Sequence, residues 1–598
     1  MTQPIDYYSP PLVRGLSPRV RKVVVALLLF LGIQVWLTVG RSDFGTNLWK
    51  TLLVGGALLI TGALVGRYFL ALLNRFRHPS WRARVIAAVC IAIGATAYLI
   101  FTGWYHGRNF QPKWQDEQSY IIQFRMLAHG RLWYPKHELA EFFDSFQVII
   151  DPVYASMYFP GAGLWYAPAQ FVGVPFWFMS ALACGVATAL LYLIVTDAID
   201  GAAGALSVVM ILALFLFRKI SLLIGGHPPM LMVELAMAFA YLRWRGRSSA
   251  GWAVALGALA GWGAIIRPLD ALVVAVPVGI MMTLDLAKRP AHAWLVTGAC
   301  LIASAAPFLT LQIVFNVGVT GKWYRTPFDH YADRDYPGTT LGFHKFDPAR
   351  RPVSQLRQKQ KYYDDFAVPA IKRHQPANVV DNWIKEDLAR SIADGMPQRL
   401  MYALLPVGLL GLTTRARWIV FALLPAYVVA YSFYTWNLPH YAIVAAPAVV
   451  LWVLLGAHAV ETTWPRLCPM LATFLTLAII LLSLRELAEF NRLTLDEPFD
   501  PVGLTRVREA IKELPRKPAV VLFRYDPKIP GDEEPVYNME TAWPDDATVI
   551  RAHDLGPRNV EIYRYYAARQ PERAFYLYDR GNDTITYLGT ARELAARN

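Results

Sequence analysis

The sequence predicts a polytopic α-helical membrane protein with a small α/β unit after its last membrane span. Two observations on composition and one on pattern predict this class. Of the 598 residues, 55% are hydrophobic and only 17% are charged, which is too apolar for a set of soluble domains. Long apolar runs recur along most of the chain. The last hundred or so residues instead alternate short apolar runs with amphipathic stretches, as α/β units do.

Thirteen apolar runs are long enough to cross a bilayer as helices, for which about 17 to 25 residues suffice. They fall near residues 23–39, 51–71, 85–104, 168–195, 202–217, 228–242, 250–266, 268–284, 293–316, 398–413, 417–435, 440–459 and 467–484. The first run follows Arg19, Arg21 and Lys22 and ends without a small-residue cleavage site. We therefore predict a retained anchor whose N-terminus stays in the cytoplasm.

Basic residues indicate which loops face the cytoplasm. With the N-terminus inside, most loops after even-numbered runs contain Arg or Lys clusters, in agreement with the positive-inside rule. Three hydrophilic segments then share the outer side: the first outer segment (105–165), the second outer segment (317–397) and the C-terminal segment (485–598). We predict two extra N-terminal helices (1–84), a membrane domain (85–484) and an extracytoplasmic α/β domain (485–598), in a bacterial-type plasma membrane.

The C-terminal segment has its own secondary-structure pattern. Apolar runs at 520–523, 548–550 and 574–577 predict strands, and amphipathic stretches at 505–513 and 559–569 predict helices.

Several other classes are excluded. The stretch 316–323 resembles a P-loop but lacks its first glycine, and 137–141 misses the zinc-protease pattern because it ends in glutamate. The four cysteines lie in separate apolar runs, which gives neither a disulfide framework nor zinc-ligand spacing. The net charge of +14 is explained by the enrichment of Lys and Arg in cytoplasmic loops of membrane proteins. We therefore predict no nucleic-acid partner.

A polar segment with two adjacent carboxylates, Asp116 and Glu117, follows the third apolar run. Tyr120, Phe124 and Leu127 recur at helical spacing, which predicts a short amphipathic helix that begins at the acidic pair. In one interpretation Asp116 caps this helix and Glu117 complements its dipole. In the other, the pair acts on a substrate that the membrane delivers.

The second interpretation gains from a family resemblance. The resemblance is carried by Asp116-Glu117-x-x-Tyr120, followed by Gln123-x-Arg125-x-Leu127-Ala128-x-Gly130. This motif resembles the signature of the GT-C superfamily, integral-membrane glycosyltransferases that use polyprenyl-phosphate sugars and include protein O-mannosyltransferases and the aminoarabinose transferase of lipid A. Weaker matches lie at 158–161, 227–229, 267–268, 318–322 and 434–441. Together they cover roughly residues 85 to 460.

The resemblance implies a GT-C-like fold and a defined reaction. One sugar would pass from a polyprenyl-phosphate carrier to a glycan, lipid or protein acceptor on the outer face, by inverting displacement. Asp116 would be the base and Glu117 its orienting neighbour. The chemistry is consistent, because a carboxylate in a partly dry cleft can serve as base. A phosphate leaving group, already ionised at neutral pH, needs no general acid.

The sequence departs from the family at two basic positions, where it has Ser119 and Phe159. Other groups must then hold the donor phosphate. The candidates are Arg267, Arg218, Lys219 and Lys322. Alternatively, each could be a structural base that extends its charged end to the membrane interface. A divalent cation is a further alternative, and no other cofactor follows from the sequence.

Three more residues are predicted to line the pocket: Tyr120, His227 and Glu234. Glu234 lies one turn into an apolar run, where an unpaired charge is costly, so it is expected to face a cavity or to pair with Arg267 or His227. A rival function is a transporter or lipid-carrier flippase, in which the acidic pair only caps a helix. A transporter predicts buried charges near the bilayer midplane, whereas a transferase predicts them at the outer rim.

Overall fold

The structure is a computed structural model that describes residues 17–39, 44–247, 249–493, 502–529 and 533–597. Residues 1–16, whose cytoplasmic location is a prediction, lie outside this part of the chain. Helices make up most of it: α1 (Pro18–Val39), α2 (Phe44–Arg77), α3 (Trp81–Tyr105), α4 (Gln115–Ala128), α5 (Gly161–Tyr166), α6 (Pro168–Phe171), α7 (Phe176–Ala198), α8 (Gly201–Ala213), α9 (Phe215–Ile220), α10 (His227–Arg247), α11 (Ala250–Ala264), α12 (Pro268–Leu286), α13 (Ala291–Thr320), α14 (Pro327–Asp335), α15 (Arg357–Tyr362), α16 (Val368–Arg373), α17 (Leu388–Asp394), α18 (Leu405–Gly408), α19 (Arg415–Phe421), α20 (Leu423–Tyr431), α21 (Ala446–Thr463), α22 (Cys468–Leu493), α23 (Val502–Lys512), α24 (Asn559–Arg569) and α25 (Ala591–Arg597). The strands are β1 (Tyr134–Pro135), β2 (Val148–Ile149), β3 (Val153–Ser156), β4 (Ala519–Arg524), β5 (Val549–His553), β6 (Ala574–Asp579) and β7 (Thr584–Thr590).

Seven helices within these described ranges are long and apolar enough to cross a bilayer. They are Leu52–Arg77, Trp81–Tyr105, Phe176–Ala198, Pro268–Leu286, Ala291–Thr320, Pro439–Thr463 and Cys468–Leu487. Three more predicted runs coincide with shorter apolar helical stretches, Gly201–Ala213, Ala250–Ala264 and Arg399–Gly411. The structure thus agrees with a multi-pass helical membrane protein, while the number of thirteen spans remains a prediction.

Small residues allow the long helices to approach closely. A Cβ atom added to Gly257 of α11 would lie 2.3 Å from Ser304 Oγ of α13, and one on Gly261 would lie 2.8 Å from Ala305 Cα. Lipid tails are as apolar as the helix surfaces, so burial of apolar surface does not drive helices together in a membrane. Close backbone contact is instead a main source of helix association. The glycines therefore fix the packing of α11 against α13.

Ion pairs hold the helix ends at the side of the bundle that we predict to be cytoplasmic. They join Arg77 to Asp200 and Glu461, Arg84 and Arg243 to Asp197, and Arg245 and Arg415 to Asp285. The arginines that produced the charge bias are therefore also structural, because they connect neighbouring helical hairpins.

The three hydrophilic segments pack together at the opposite end. The backbone N–H of Gln147 in the first outer segment donates to the Tyr331 hydroxyl of the second, at 2.8 Å. Gln358 of the second outer segment donates to Glu534 of the C-terminal segment at 3.1 Å. This agrees with the prediction that the three segments share one side. Which face of the membrane they occupy remains a prediction.

The C-terminal segment forms a four-stranded sheet with the order β5-β4-β6-β7, in which β7 alone is antiparallel to its neighbour. The three predicted strands and two predicted helices are present, as β4, β5, β6, α23 and α24. β7 and α25 complete this C-terminal unit and were not predicted. Phe142 and Phe143 of the first outer segment pack into the same apolar core as Val520 and Phe575 of the sheet.

A buried lysine joins the first two outer segments. Lys359 of α15 is 1% exposed, and its Nζ lies 2.6 Å from Asp144 and 3.3 Å from Asp335. Burial alone would lower the pKa of Lys359, but the two carboxylates outweigh it and raise the pKa. Lys359 is therefore charged, and removing it would leave two buried acids without their cation.

We expect Lys359→Met to destabilise the outer part of the protein by about 3–5 kcal/mol, because it breaks a buried charge network. Lys361→Met is the matched control, since Lys361 is an exposed lysine two residues away that pairs with Asp365 at the surface. Thermal unfolding and limited proteolysis of both variants check the difference. Equal losses in the two variants would contradict the network.

Candidate functional site

The site begins with helix α4, whose start is fixed by Glu117. One carboxylate oxygen of Glu117 accepts the backbone N–H groups of Lys113 at 2.7 Å and Trp114 at 3.1 Å. The other accepts the N–H of Ile224, in the loop before α10, at 2.9 Å. The predicted amphipathic helix is thus confirmed, and Glu117 rather than Asp116 binds the open backbone donors at its start.

This geometry is compatible with the orienting role that the resemblance implies for Glu117, which remains a prediction. The residue is 4% exposed, and burial raises the pKa of its carboxyl although the three N–H groups act in the opposite direction. Both oxygens accept backbone hydrogen bonds, and these bonds tie α4 to the loop before α10.

Asp116 has different surroundings, because neighbouring helical residues point about 100° apart. The Tyr158 hydroxyl donates a hydrogen bond to its carboxylate, and the positive charge of Arg267 acts on it. Burial outweighs both effects and raises the pKa of Asp116 above its usual range. The ring of Tyr158 stacks on Tyr120, with centroids 4.1 Å apart. The acid therefore lies in an aromatic cluster beside a cation.

Arg267 is the cation of this site and immediately precedes α12. Its Nε donates a hydrogen bond to Asp270, and its Nη2 donates one to the Tyr431 hydroxyl oxygen at 3.2 Å. The guanidinium also lies over the Tyr441 ring, 4.7 Å from its centroid. Asp270 is fully buried and accepts a second hydrogen bond from Tyr431. These contacts hold the guanidinium in one orientation.

Sequence reasoning identified Arg267 but missed Asp270 and Tyr431. Asp270 follows Arg267 by three residues in the first turn of an apolar span, and such a spaced opposite charge was the available signal. Tyr431 carried no comparable signal, since tyrosine is common near membrane interfaces.

A close backbone approach brings Tyr120 beside Arg267. A Cβ atom at Gly226 would lie 3.0 Å from the Tyr120 hydroxyl and 3.2 Å from Arg267 Cγ. A side chain at position 226 would press on both groups. Tyr120 thus lies close to Arg267, and its role as a pocket-lining residue stays a prediction.

Two other residues that the sequence predicted for the site, His227 and Lys219, lie near His440. The His227 ring is 4.9 Å from that of His440 and 5.1 Å from that of Tyr441, which itself touches Arg267. Lys219 is exposed, and its charge acts on His440. Lys219 therefore lies at the edge of the cluster, where its ammonium group is accessible.

The structure does not bring Arg218 and Lys322 to the acidic residue. Arg218 is buried, donates to the carbonyl of Ala213 at 3.0 Å and interacts with Tyr98 of α3. Lys322 is exposed in the turn after α13, with its Nζ 5.9 Å from the Tyr324 ring. The phosphate-binding role of both bases therefore stays a prediction, and the contacts described here lie away from Asp116.

Glu234 is fully buried in α10, and within the described chain neither carboxylate oxygen has a hydrogen-bond partner. The expected pairing with Arg267 or His227 is thus not formed. The charge of Asp270 acts on Glu234, so Glu234 lies near the Arg267–Asp270 pair.

The described residues contain no group of three or more His, Cys, Asp or Glu side chains placed to hold a metal ion. What the site offers is a partly exposed carboxylate of raised pKa and a fixed guanidinium whose side chain is 17% exposed. Such a pair can accept a proton and hold an anion at neighbouring positions.

We expect Glu117→Ala to lower stability, because it leaves three backbone N–H groups without their acceptor, and a buried unsatisfied donor costs about 1–3 kcal/mol. Hydrogen exchange at residues 113–117 and 224 should rise together with a fall in the unfolding temperature. Glu138→Ala, at an exposed glutamate of the same segment, is the control. Unchanged exchange at these positions would contradict the anchoring role.

No protein-family model matches the sequence, and the search of curated proteins gives no match either. Solved structures that are similar to the chain include two of one protein. One is the crystal structure of ArnT from Cupriavidus metallidurans bound to undecaprenyl phosphate, at 12% identity and a TM-score of 0.45, covering 83% of this chain and 94% of that one. The other is ArnT from Cupriavidus metallidurans in the apo state, also at 12% and 0.45, covering 81% and 92%.

Proposed function

We propose that this protein is a membrane glycosyltransferase of the GT-C type that moves a sugar from a polyprenyl-phosphate carrier to an acceptor hydroxyl. The observation that carries the proposal is the juxtaposition of Asp116, with its raised pKa, and the fixed Arg267 guanidinium. Both lie where the hydrophilic segments meet the end of an apolar helix bundle. The Asp116 motif, which resembles the GT-C signature, supports the same reading.

In the proposed reaction Asp116 accepts the proton of the acceptor hydroxyl as its oxygen bonds to the anomeric carbon. The bond between that carbon and the phosphate oxygen breaks, and its electron pair leaves with the phosphate. Attack opposite the leaving group inverts the anomeric centre. One base and one cation suffice, because the departing phosphate is a stable anion without protonation.

Arg267 is the proposed holder of the donor phosphate. A guanidinium has five N–H donors, and the bonds to Asp270, Tyr431 and Tyr441 use three of them. Because these bonds fix its orientation before substrate binds, little reorganisation is needed as charge develops on the phosphate. Lys219, exposed at the edge of the cluster, would add a second positive charge for the carrier.

The position of the charged groups favours a transferase over a transporter. Asp116, Arg267 and Asp270 cluster at one end of the bundle, against the hydrophilic segments, whereas a carrier needs its charges near the middle of the membrane. We propose that this end faces outward from a bacterial-type plasma membrane and that the acceptor is an envelope glycan, lipid or protein.

The proposal is tested by incubating the purified protein in lipid nanodiscs with a panel of radiolabelled polyprenyl-phosphate sugars and an acceptor extract. Release of free polyprenyl phosphate together with labelled acceptor is expected for at least one donor. Turnover of no donor in the panel, by protein shown to be folded, would contradict the proposal.

We expect Asp116→Asn to reduce transfer by about 10²- to 10⁴-fold, the usual contribution of a general base, with little change in unfolding temperature. The control is Asp151→Asn, which alters an acid of the same segment that pairs with Lys136 at the surface. Initial rates with saturating donor measure the effect. Near-normal turnover by Asp116→Asn would remove this residue as the base.

The pH profile gives an independent check. Asp116 must be ionised to act, so kcat/KM should fall as the pH drops through its raised pKa, above the ordinary carboxyl range near about 4. Tyr158→Phe removes a hydrogen bond that lowers this pKa and should move the acidic limb to higher pH. Tyr324→Phe, at an exposed tyrosine, should leave the limb in place. A shift to lower pH in Tyr158→Phe would contradict the assignment.

A further inference from the structure

A cleft that is partly open to solvent lies between the C-terminal unit and the second outer segment. None of its lining residues belongs to the Asp116 site. Those that the argument uses are Phe523, Tyr525, Glu533, His553, Arg580 and Gln358.

The cleft lies where this type of sheet commonly binds ligands. Phe523 is near the carboxyl end of β4, His553 ends β5, and Arg580 directly follows β6. From β4 the chain runs to β5 on one side of β4, and it then crosses back to β6 on the other side. The direction of the connections therefore reverses at β4. In open α/β sheets such a reversal leaves a crevice beyond the carboxyl ends of the strands, which is the usual ligand site.

Arg580 provides an unused donor in the cleft. The residue is 5% exposed, yet its Nη1 has no hydrogen-bond partner among the described residues. Its Nη2 lies 3.4 Å from the Glu533 carboxylate. A buried guanidinium nitrogen without an acceptor is unfavourable, and native proteins seldom retain one without a reason. A ligand that supplies an acceptor would satisfy it.

The charges around Arg580 indicate what kind of acceptor this is. Glu533 already balances the guanidinium, and Glu534 also lines the cleft, so a bound anion would face two carboxylates. A hydroxyl group is both donor and acceptor and can bond to Arg580 and Glu533 at once. Phe523 and Tyr525 line the same cleft and add aromatic surface to these polar groups. A neutral, hydroxyl-rich ring compound matches both kinds of surface.

We propose that this cleft is a saccharide-binding site of the C-terminal unit. Sugar hydroxyls bond to Arg580 and Glu533, and the apolar face of the ring lies against Tyr525. The polar floor is held in place by Gln358, which donates to Glu534 at 3.1 Å and lies 3.4 Å from His553. The site therefore needs the second outer segment as well as the C-terminal unit. The proposal does not depend on the transfer reaction, because it concerns binding alone.

The experiment uses the full-length protein in lipid nanodiscs prepared without glycoside detergents, which would themselves occupy a sugar site. Saturation-transfer NMR and calorimetry measure binding of chitobiose, cellobiose, maltose and methyl galactoside, with inorganic phosphate as the anionic probe. The variants are Arg580→Gln, Tyr525→Ala and Glu533→Gln. The control is Arg592→Gln, at a surface ion pair elsewhere on the same unit.

We expect at least one saccharide to bind wild-type protein. Arg580→Gln should weaken this binding about tenfold, the worth of one hydrogen bond to a charged group, and Tyr525→Ala should weaken it because the aromatic contact with the sugar ring is lost. Arg592→Gln should bind as wild type does. Tyr525 is partly exposed, so its variant tests the aromatic contact even if Arg580→Gln unfolds. Absence of any saccharide signal overturns the proposal. Phosphate binding that tightens in Glu533→Gln while no saccharide binds overturns it in favour of an anion site.

Discussion

The candidate site depends on one carboxylate that is bonded to the backbone of two loops. Glu117 gathers three backbone N–H groups from two separate loops, and this bonding sets the direction in which helix α4 leaves the membrane surface. Because the helix start is fixed, the next residue back along the chain, Asp116, is turned toward Tyr158 and Arg267. A charge buried this deeply is tolerated only when it is fully hydrogen-bonded, and the three N–H groups supply those bonds. The orientation of the acid thus follows from the bonding of its neighbour.

The cation of the site is held by the same principle. A lone guanidinium at the end of an apolar bundle would be free to turn toward water, whereas Arg267 is bonded to Asp270 and Tyr431 and covered by the Tyr441 ring. The pairing of Arg267 with Asp270 lowers the cost of burying the guanidinium. The cluster is asymmetric, since one side carries a carboxylate of raised pKa and the other a fixed positive charge.

Much of this could be predicted from the sequence, and the failures have physical causes. The apolar runs, the strands of the C-terminal unit and helix α4 depend on local patterns of hydrophobicity, which the sequence displays directly. Arg267 stood out because a base between two spans is unusual. The roles of Asp116 and Glu117 could not be separated, because adjacent acids look alike until the loop holding Ile224 is folded against one of them. Arg218 failed for a similar reason: a buried arginine at a helix end binds carbonyl groups as readily as a substrate. Tyr431 contributes through a tertiary contact with Asp270 across 161 residues, which no local pattern encodes.

The packing of Phe142 and Phe143 into the core of the C-terminal sheet has a consequence for biogenesis. The ribosome makes these phenylalanines early and the strands of the C-terminal sheet last. Both rings therefore lack their packing partners while the helix bundle is synthesised. A chain that stops before β4 would keep them bare. Truncated forms should therefore be recognised by quality-control proteases or associate through this surface, even with every membrane helix in place. In this fold the C-terminal unit protects the segment that carries the acid, whatever else it binds.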